Sequence, residues 1–142
     1  CMVGPDKDGS MNEFKKYIIE KEIENHVRIT GRLSKEEWIS LSQDYDFFIN
    51  TTNVDNTPIS VIEAMALGLC VLSTDPGGIP FLLLDGHDSW LVRPGDALAM
   101  SDKINYLLKN PNLAALTSTN ARRKAEGFDW IKIKPKWLSL LH

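Results

Sequence analysis

Two acidic side chains lie on either side of a predicted helix start, and their spacing suggests a binding site. Asp55 lies in the polar stretch NTTNVDNT that follows an apolar run, and Glu63 comes eight residues later in an apolar helical pattern. Between them, Thr57 is predicted to cap the helix and Pro58 to occupy its first position, where a missing N–H costs nothing. A helix that only had to pack would not need a carboxylate at position 63.

The chemistry that fits this segment is the binding of a phosphate next to hydroxyl groups. Helix N-termini bind anions through unpaired amides, here those of Ile59 and Ser60, with Asn56 and Thr57 as further candidates. The side chain of Glu63 tilts back toward the helix start. An ionised carboxylate repels a bare phosphate but accepts hydrogen bonds from hydroxyls. Phosphate at the amides with hydroxyls beside it fits a nucleotide sugar.

Each residue also has a simpler interpretation. Taken alone, Asp55 could equally well be a turn or cap residue with no part in ligand binding. Glu63 could be a solvated helix position, although the apolar residues on both sides of it, VI and AMA, make that reading weaker. The Gly77-Gly78 pair is explained by a tight strand-to-helix turn. Trp90, Trp130 and Trp137 are interpreted as core or packing residues.

The elements that position these residues alternate along the chain. Short apolar strands are predicted at 1–3, 27–30, 47–49, 71–72 and 90–92. Helices are predicted between them, one of them capped by Ser34. After the last strand, a helical stripe of apolar residues begins at Ala97, Pro111 is predicted to start a further helix, and Pro135 to interrupt or restart the last one. Strands that are continuously apolar are typical of parallel sheets covered on both faces. The predicted fold is α/β, a Rossmann-like three-layer α/β/α sandwich with a parallel sheet.

Composition excludes several other classes of protein. The net charge is −3, and no basic cluster is longer than the triplet 122–124, which argues against a nucleic-acid surface. No set of His, Cys or carboxylate residues has metal-ligand spacing, so no metal or other cofactor is expected. Cys70 lies in the apolar run CVLST and is predicted to be a buried small hydrophobe. With no apolar run near 20 residues and no signal peptide, a cytoplasmic protein is the expectation.

A family resemblance rests on one long motif and its flanks. The run YDFFINTTNVDNTPISVIEAMALGLCVLSTDPGGIP, from Tyr45 to Pro80, resembles the donor-binding half of retaining GT-B glycosyltransferases of family 4. Their pattern is roughly Glu-x7-Glu, then Ala-Met-Ala, a small-residue turn, an apolar strand and Gly-Gly. The segments VRITGRLSKEEW and DGHDSWLVRPGDALAM match the family's flanking segments, so the resemblance covers nearly the whole chain.

The resemblance implies a role for each matching residue. Glu63 would hold the ribose hydroxyls of the donor, and Asp55, in place of the usual Glu, would be the catalytic residue that positions the transferred sugar. The backbone around Arg32 and Leu33 would border the base. The diphosphate-binding amides would be those of Asn56, Thr57, Ile59 and Ser60.

The resemblance also implies what the chain would be part of. Residues 1–142 would form one nucleotide-sugar binding domain, with an N-terminal acceptor domain and the first βα unit absent. The Arg and Lys that the family uses against the diphosphate come from that earlier part, so this chain alone is expected to be inactive. The complete enzyme would transfer a hexose, with retention of configuration, to a glycan or lipid-linked acceptor in polysaccharide biosynthesis. It would do so in the cytoplasm, with peripheral association at the inner face of the membrane left open.

Two other functions are compatible with the architecture. A sugar-nucleotide epimerase of similar fold would need catalytic carboxylates and histidines that the sequence does not show. A non-catalytic α/β interaction domain would bind no nucleotide sugar. The class of ligand therefore separates the three hypotheses.

Overall fold

The computed structural model describes residues 1–141, which form two compact units, the first spanning Cys1–Gln43 and the second beginning at Asp44. The first unit contains strand β1 (Met2–Val3), helix α1 (Ser10–Glu20), a 3-10 turn (Glu24–His26), strand β2 (Ile29–Gly31) and helix α2 (Lys35–Ser42). Its two strands pair in parallel.

The predicted cap of α2 is confirmed in full. The hydroxyl of Ser34 accepts a hydrogen bond from the backbone N–H of Glu37 at 3.2 Å, and the backbone N–H of Ser34 donates to the Glu37 carboxylate at 2.7 Å. This reciprocal capping box satisfies two backbone groups that the helix itself cannot pair. It depends only on residues three apart, which is why the sequence predicts it well.

The second unit begins with strand β3 (Phe47–Asn50), helix α3 (Ile59–Ala66), strand β4 (Cys70–Thr74), the short helix α4 (Ile79–Leu82) and strand β5 (Trp90–Val92). Helices α5 (Ala97–Lys109) and α6 (Pro111–Ala125), a 3-10 turn (Glu126–Phe128) and helix α7 (Trp130–Leu140) complete it. Its sheet has the order β3-β4-β5 and is entirely parallel, so the predicted α/β class with parallel strands is confirmed.

The core of the second unit lies around the central strand. Every residue of β4 is buried, and Cys70, Leu72 and Val92 pack with Met100 and Leu107 of α5. Burial raises the pKa of the Cys70 thiol to about 11, because a thiolate there would lose its solvation. Cys70 is thus the buried, unreactive hydrophobe that the sequence predicts.

Three expectations about burial and helix ends are wrong. Ile49, expected inside the sheet, is 46% exposed because β3 is an outer strand of its sheet. Trp130 and Trp137 are more than half exposed, since α7, which the structure describes along its whole length, has no buried residue. Pro135 does not interrupt α7 but lies inside it.

Candidate functional site

The predicted site is built by a loop that connects the end of β3 to the start of α3. Residues 51–57, called the acidic loop below, place Asp55 four residues before α3, and Glu63 is the fifth residue of the helix. Four residues of α-helix rise about 6 Å along the axis, so Glu63 lies roughly one turn from the helix start. Asp55 and Glu63 are both half-buried, so neither side chain lies on a fully solvated face.

The start of α3 differs from the prediction by one residue. Pro58 is the N-cap, with no side-chain cap bond, and Thr57 lies just outside. The carbonyl oxygen of Pro58 accepts from the amides of Val61 and Ile62, at 3.1 and 3.3 Å. Because proline offers no capping oxygen on its side chain, the amides of Ile59 and Ser60 face outward without competition from a cap. The helix end therefore offers two of the amides that the predicted anion site requires.

The Asn56 amide is engaged by its neighbour. Its N–H donates to Asp55 Oδ1 at 2.7 Å. A ligand phosphate would have to replace that carboxylate oxygen before it could bind the Asn56 amide. The structure therefore brings Asp55 and Asn56 together, but in a mutual bond rather than open to a ligand.

A second loop, the turn between β4 and α4, lies directly against the acidic loop. The N–H of Gly78 donates to the carbonyl oxygen of Asp55 at 3.1 Å. A Cβ placed on Gly77 would lie 2.2 Å from that same oxygen, and a Cβ on Gly78 would lie 2.3 Å from the carbonyl oxygen of Asn56. The Gly-Gly pair is therefore more than a tight turn, because only glycine allows the two backbones to approach this closely.

Polar side chains at the ends of β3 and β4 join the two loops further. Thr74 Oγ1 donates to the carbonyl oxygen of Thr52 at 2.5 Å, and Asn50 Nδ2 donates to Ser73 Oγ at 3.0 Å. Ser73 and Thr74 are buried. Sequence analysis did not single out this pair, although two hydroxyl residues ending an otherwise apolar strand were a visible signal.

The first unit holds the remaining predicted site residues. Arg32 and Leu33 follow β2, at the carboxyl end of that strand, where ligands of parallel sheets bind. The start of α1 in the same unit is not an anion site of the same kind. The backbone N–H groups of Gly9 and Ser10 already donate to the carboxylates of Asp6 and Asp8, at 2.9 and 3.1 Å. The pKa of Asp8 is lowered, first by a hydrogen bond from the Ser10 side chain and then by this bond from the Ser10 amide.

A groove of about 300 Å³ lies in the first unit between β1 and the start of α1, and residues from Met2 to Met11 line it. It contains none of the residues predicted to bind the donor. Among residues 1–141, no group of three His, Cys, Asp or Glu side chains is arranged to hold a metal ion. No helix in that part of the chain is long and apolar enough to cross a membrane.

Comparison with known proteins identifies the family. Residues 1–124 match the family model described as glycosyl transferases group 1. The chain belongs to this family. It is a family of glycosyltransferase enzymes, and the recognised motif and the α/β fold agree with it.

Individual relatives agree with that assignment. The chain is 29% identical over 135 residues, 94% of its length, to an α-1,4-N-acetyl-D-galactosaminyltransferase of Campylobacter jejuni. The name of that enzyme gives its acceptor as a GalNAc glycan linked to undecaprenol diphosphate. It is 32% identical over 107 residues, 71% of its length, to the sulfoquinovosyl transferase SQD2 of Arabidopsis thaliana. The matches cover 37% and 20% of those proteins, so the chain spans well under half of their length.

Solved structures show the same fold. HepE from Anabaena, in complex with UDP and glucose, superposes with a TM-score of 0.85 at 25% identity, over 98% of this chain and 39% of HepE. TarM superposes with a TM-score of 0.81 at 26% identity, over 97% of this chain and 27% of TarM. The chain thus has the fold of part of a GT-B glycosyltransferase.

Proposed function

We propose that this chain is the donor-binding domain of a retaining glycosyltransferase that transfers a hexose from a nucleotide diphosphate sugar. The observation that carries the proposal is the helix end of α3, where outward-facing amides lie between two half-buried carboxylates, Asp55 and Glu63. A helix N-terminus suits a diphosphate, and carboxylates suit the hydroxyls on either side of it. Membership of a glycosyltransferase family agrees with this combination.

In the proposed reaction, the helix end stabilises the leaving group. The bond between the sugar anomeric carbon and the diphosphate oxygen breaks, and negative charge grows on the diphosphate. Amides that already point outward, such as those of Ile59 and Ser60, stabilise that charge without reorganising during the reaction. Glu63 accepts bonds from the ribose. Asp55 orients the sugar so that the acceptor hydroxyl attacks on the face that retains configuration, and the hydroxyl proton passes to the departing diphosphate.

The identity of the donor and acceptor is proposed from the relatives. HepE has been solved with UDP and glucose, which makes UDP-glucose the first donor to test. Other relatives are named for amylovoran or colanic acid biosynthesis, or for undecaprenol diphosphate-linked glycans, so we propose a glycan or lipid-linked acceptor. With a lipid-linked acceptor, the full-length protein would work in the cytoplasm at the inner membrane surface. We propose that transfer needs no metal.

The direct test is a donor screen with the full-length protein. UDP-, GDP- and ADP-sugars are incubated with it, hydrolysis and transfer are followed by release of the nucleoside diphosphate, and EDTA is added in parallel reactions. Release from one donor, unaffected by EDTA and lost in Asp55→Ala, is expected. No binding of any nucleotide sugar would favour an interaction domain, and conversion of the sugar without release of the diphosphate would favour an epimerase.

A further inference from the structure

The acidic loop has no regular secondary structure between Asn50 and α3, yet its backbone is bonded at two points, once to the end of β4 and once to the turn that follows β4. Thr74 Oγ1 donates to the carbonyl oxygen of Thr52, and the N–H of Gly78 donates to the carbonyl oxygen of Asp55. Thr74 is only 4% exposed, so its bond is shielded from competing water. The main chain that carries the Asp55 carboxylate is thus held by β4 and the turn after it.

Glycine is required at position 78 because the acidic loop lies so close to it, and not because of the backbone conformation of Gly78 itself. Its φ of −87° is open to any residue, whereas Gly77, at φ +59°, is in the left-handed region that favours glycine. A Cβ on residue 78 would lie 2.1 Å from Asn56 Oδ1 and 2.3 Å from the Asn56 carbonyl oxygen. The amide side chain could rotate away, but the carbonyl is part of the main chain. An alanine at 78 must therefore displace the backbone of Asn56, the residue next to Asp55.

We propose that Gly78 and Thr74 are positioning residues for the transfer reaction, acting through Asp55. This inference rests on the proposed function, in which Asp55 orients the transferred sugar. Gly78 sets how close the loop lies to the β4–α4 turn, and Thr74 fixes the loop three residues before Asp55. Displacement of a positioned group by about 1 Å can lower a catalytic rate roughly a hundredfold, so a small shift of this backbone is enough to be measured.

The first test is a double-mutant cycle in the full-length protein. Gly78→Ala is expected to lower kcat by roughly ten- to a hundredfold in the wild-type background, the range for a group moved by an ångström or less. In the Asp55→Ala background the same substitution is expected to cause little further loss, because the group it displaces is already gone. Gly127→Ala is the matched control, since a Cβ on Gly127 meets nothing within 4 Å. It should leave kcat unchanged.

The outcomes separate the inference from the proposed function. If Asp55→Ala lowers kcat but Gly78→Ala does not, the inference is wrong and the function of Asp55 stands. An equal fold-loss from Gly78→Ala in both backgrounds would mean a general structural role, which also overturns the inference. Full turnover by Asp55→Ala would refute the catalytic role of Asp55 in the proposed function and the inference with it.

A second pair of variants decides the matter if Gly78→Ala does not fold. Thr74→Val removes the hydroxyl while keeping the shape of the side chain, and Thr74→Ser keeps the hydroxyl. Thr74→Val is expected to lower kcat more than it changes KM, and Thr74→Ser is expected to restore turnover. Equal turnover in the two variants, whether normal or reduced, would overturn the role of the Thr74 hydroxyl.

Discussion

Asp55 and Glu63 carry the same charged group, but the backbone holds them in different ways. Asp55 is in a loop, with its Oδ1 bonded to the Asn56 amide and its carbonyl bonded to Gly78. Glu63 is on a helix, at a fixed distance from the amides of the first turn. A residue on a helix suits a part of the ligand that stays in place, and a residue on a held loop suits the part that is transferred. The two carboxylates should therefore have separable functions.

We expect alanine substitutions in the full-length protein to separate those functions. Glu63→Ala should weaken binding of both the intact donor and the nucleoside diphosphate product by about 1–3 kcal/mol, the range for a lost charged hydrogen bond. Asp55→Ala should leave product affinity nearly unchanged and lower turnover, because the product no longer contains the sugar. Calorimetry with the product and steady-state kinetics measure the two effects.

Conservative variants serve as controls for this experiment. Glu63→Gln keeps the size of the side chain and tests whether the charge is needed. Asp55→Glu lengthens the side chain by one methylene, and a site adjusted to Asp should lose activity. Equal losses of product affinity in the two alanine variants would show that this division is wrong. Unfolding of Glu63→Ala with full activity in the folded fraction would make Glu63 a structural residue.

At the residue scale, the sequence predicts what depends on neighbours along the chain. The acidic pair and the outward amides of Ile59 and Ser60 follow from local spacing. The bond between Asp55 and the Asn56 amide does not, because it depends on a loop conformation that no periodicity describes. The contact between Asp55 and Gly78 joins residues more than 20 positions apart, and no local pattern indicates it. From the sequence alone, Gly77-Gly78 is therefore interpreted as a simple turn. The prediction that Thr57 is the N-cap of α3 follows from the general preference for hydroxyl residues at that position. The structure has Pro58 there instead.

At the scale of elements, helix α6 ties together parts of the second unit. Arg122 Nη1 donates to the carbonyl oxygen of Ala66 at the end of α3, where a positive charge is favoured by the helix dipole. Lys124 Nζ lies 2.7 Å from the carboxylate of buried Asp88, which also accepts the Leu84 amide. Two of the three residues of the basic cluster 122–124 thus make bonds within the unit.

The Asp88–Lys124 pair should contribute to stability. Lys124→Ala leaves a carboxylate that is 3% exposed without its cation, and we expect a loss of about 1–3 kcal/mol, the range for a charged hydrogen bond. Hydrogen exchange of residues 84–91 in the full-length protein would locate the effect, and thermal unfolding would measure it. Arg123→Ala is the matched control, since Arg123 is an exposed neighbour on the same helix. An equal change in both variants would show that the ion pair contributes nothing of its own.

Other elements show where prediction from sequence fails. The start of α6 at Pro111 and the capping box of α2 were predicted correctly, because both signals lie within one helical turn. The interpretation of Trp130 and Trp137 as packing residues was wrong. The helical spacing of apolar residues in α7 indicates a face that could be covered, but it does not identify what covers it. Exposure of that face is a property of tertiary structure.

At the scale of the whole molecule, the sequence predicts the class of fold, but it does not show how the strands are distributed between sheets. Continuous apolar strands separated by helices indicated parallel pairing, and all three strand pairs are parallel. In residues 1–141 the structure describes two sheets, one in each compact unit, and the sequence pattern did not indicate this division. Strand periodicity reports which faces are covered but not which strands are neighbours.

The length of the chain relative to its relatives leads to a last prediction. The matches cover 39% of HepE and 37% of the Campylobacter enzyme, and the family resemblance assigns the cationic contacts to the diphosphate to a preceding segment. Residues 1–142 alone should therefore bind a nucleoside diphosphate at least about tenfold more weakly than the full-length protein, since each lost charged hydrogen bond is worth roughly 1.5–3 kcal/mol. They should also show no transfer.

Calorimetry on both proteins, with circular dichroism to establish that the shorter one is folded, measures the difference in affinity. Equal affinity in the two proteins would mean that this chain supplies the whole diphosphate site, with the amides of α3 sufficient to hold the ligand.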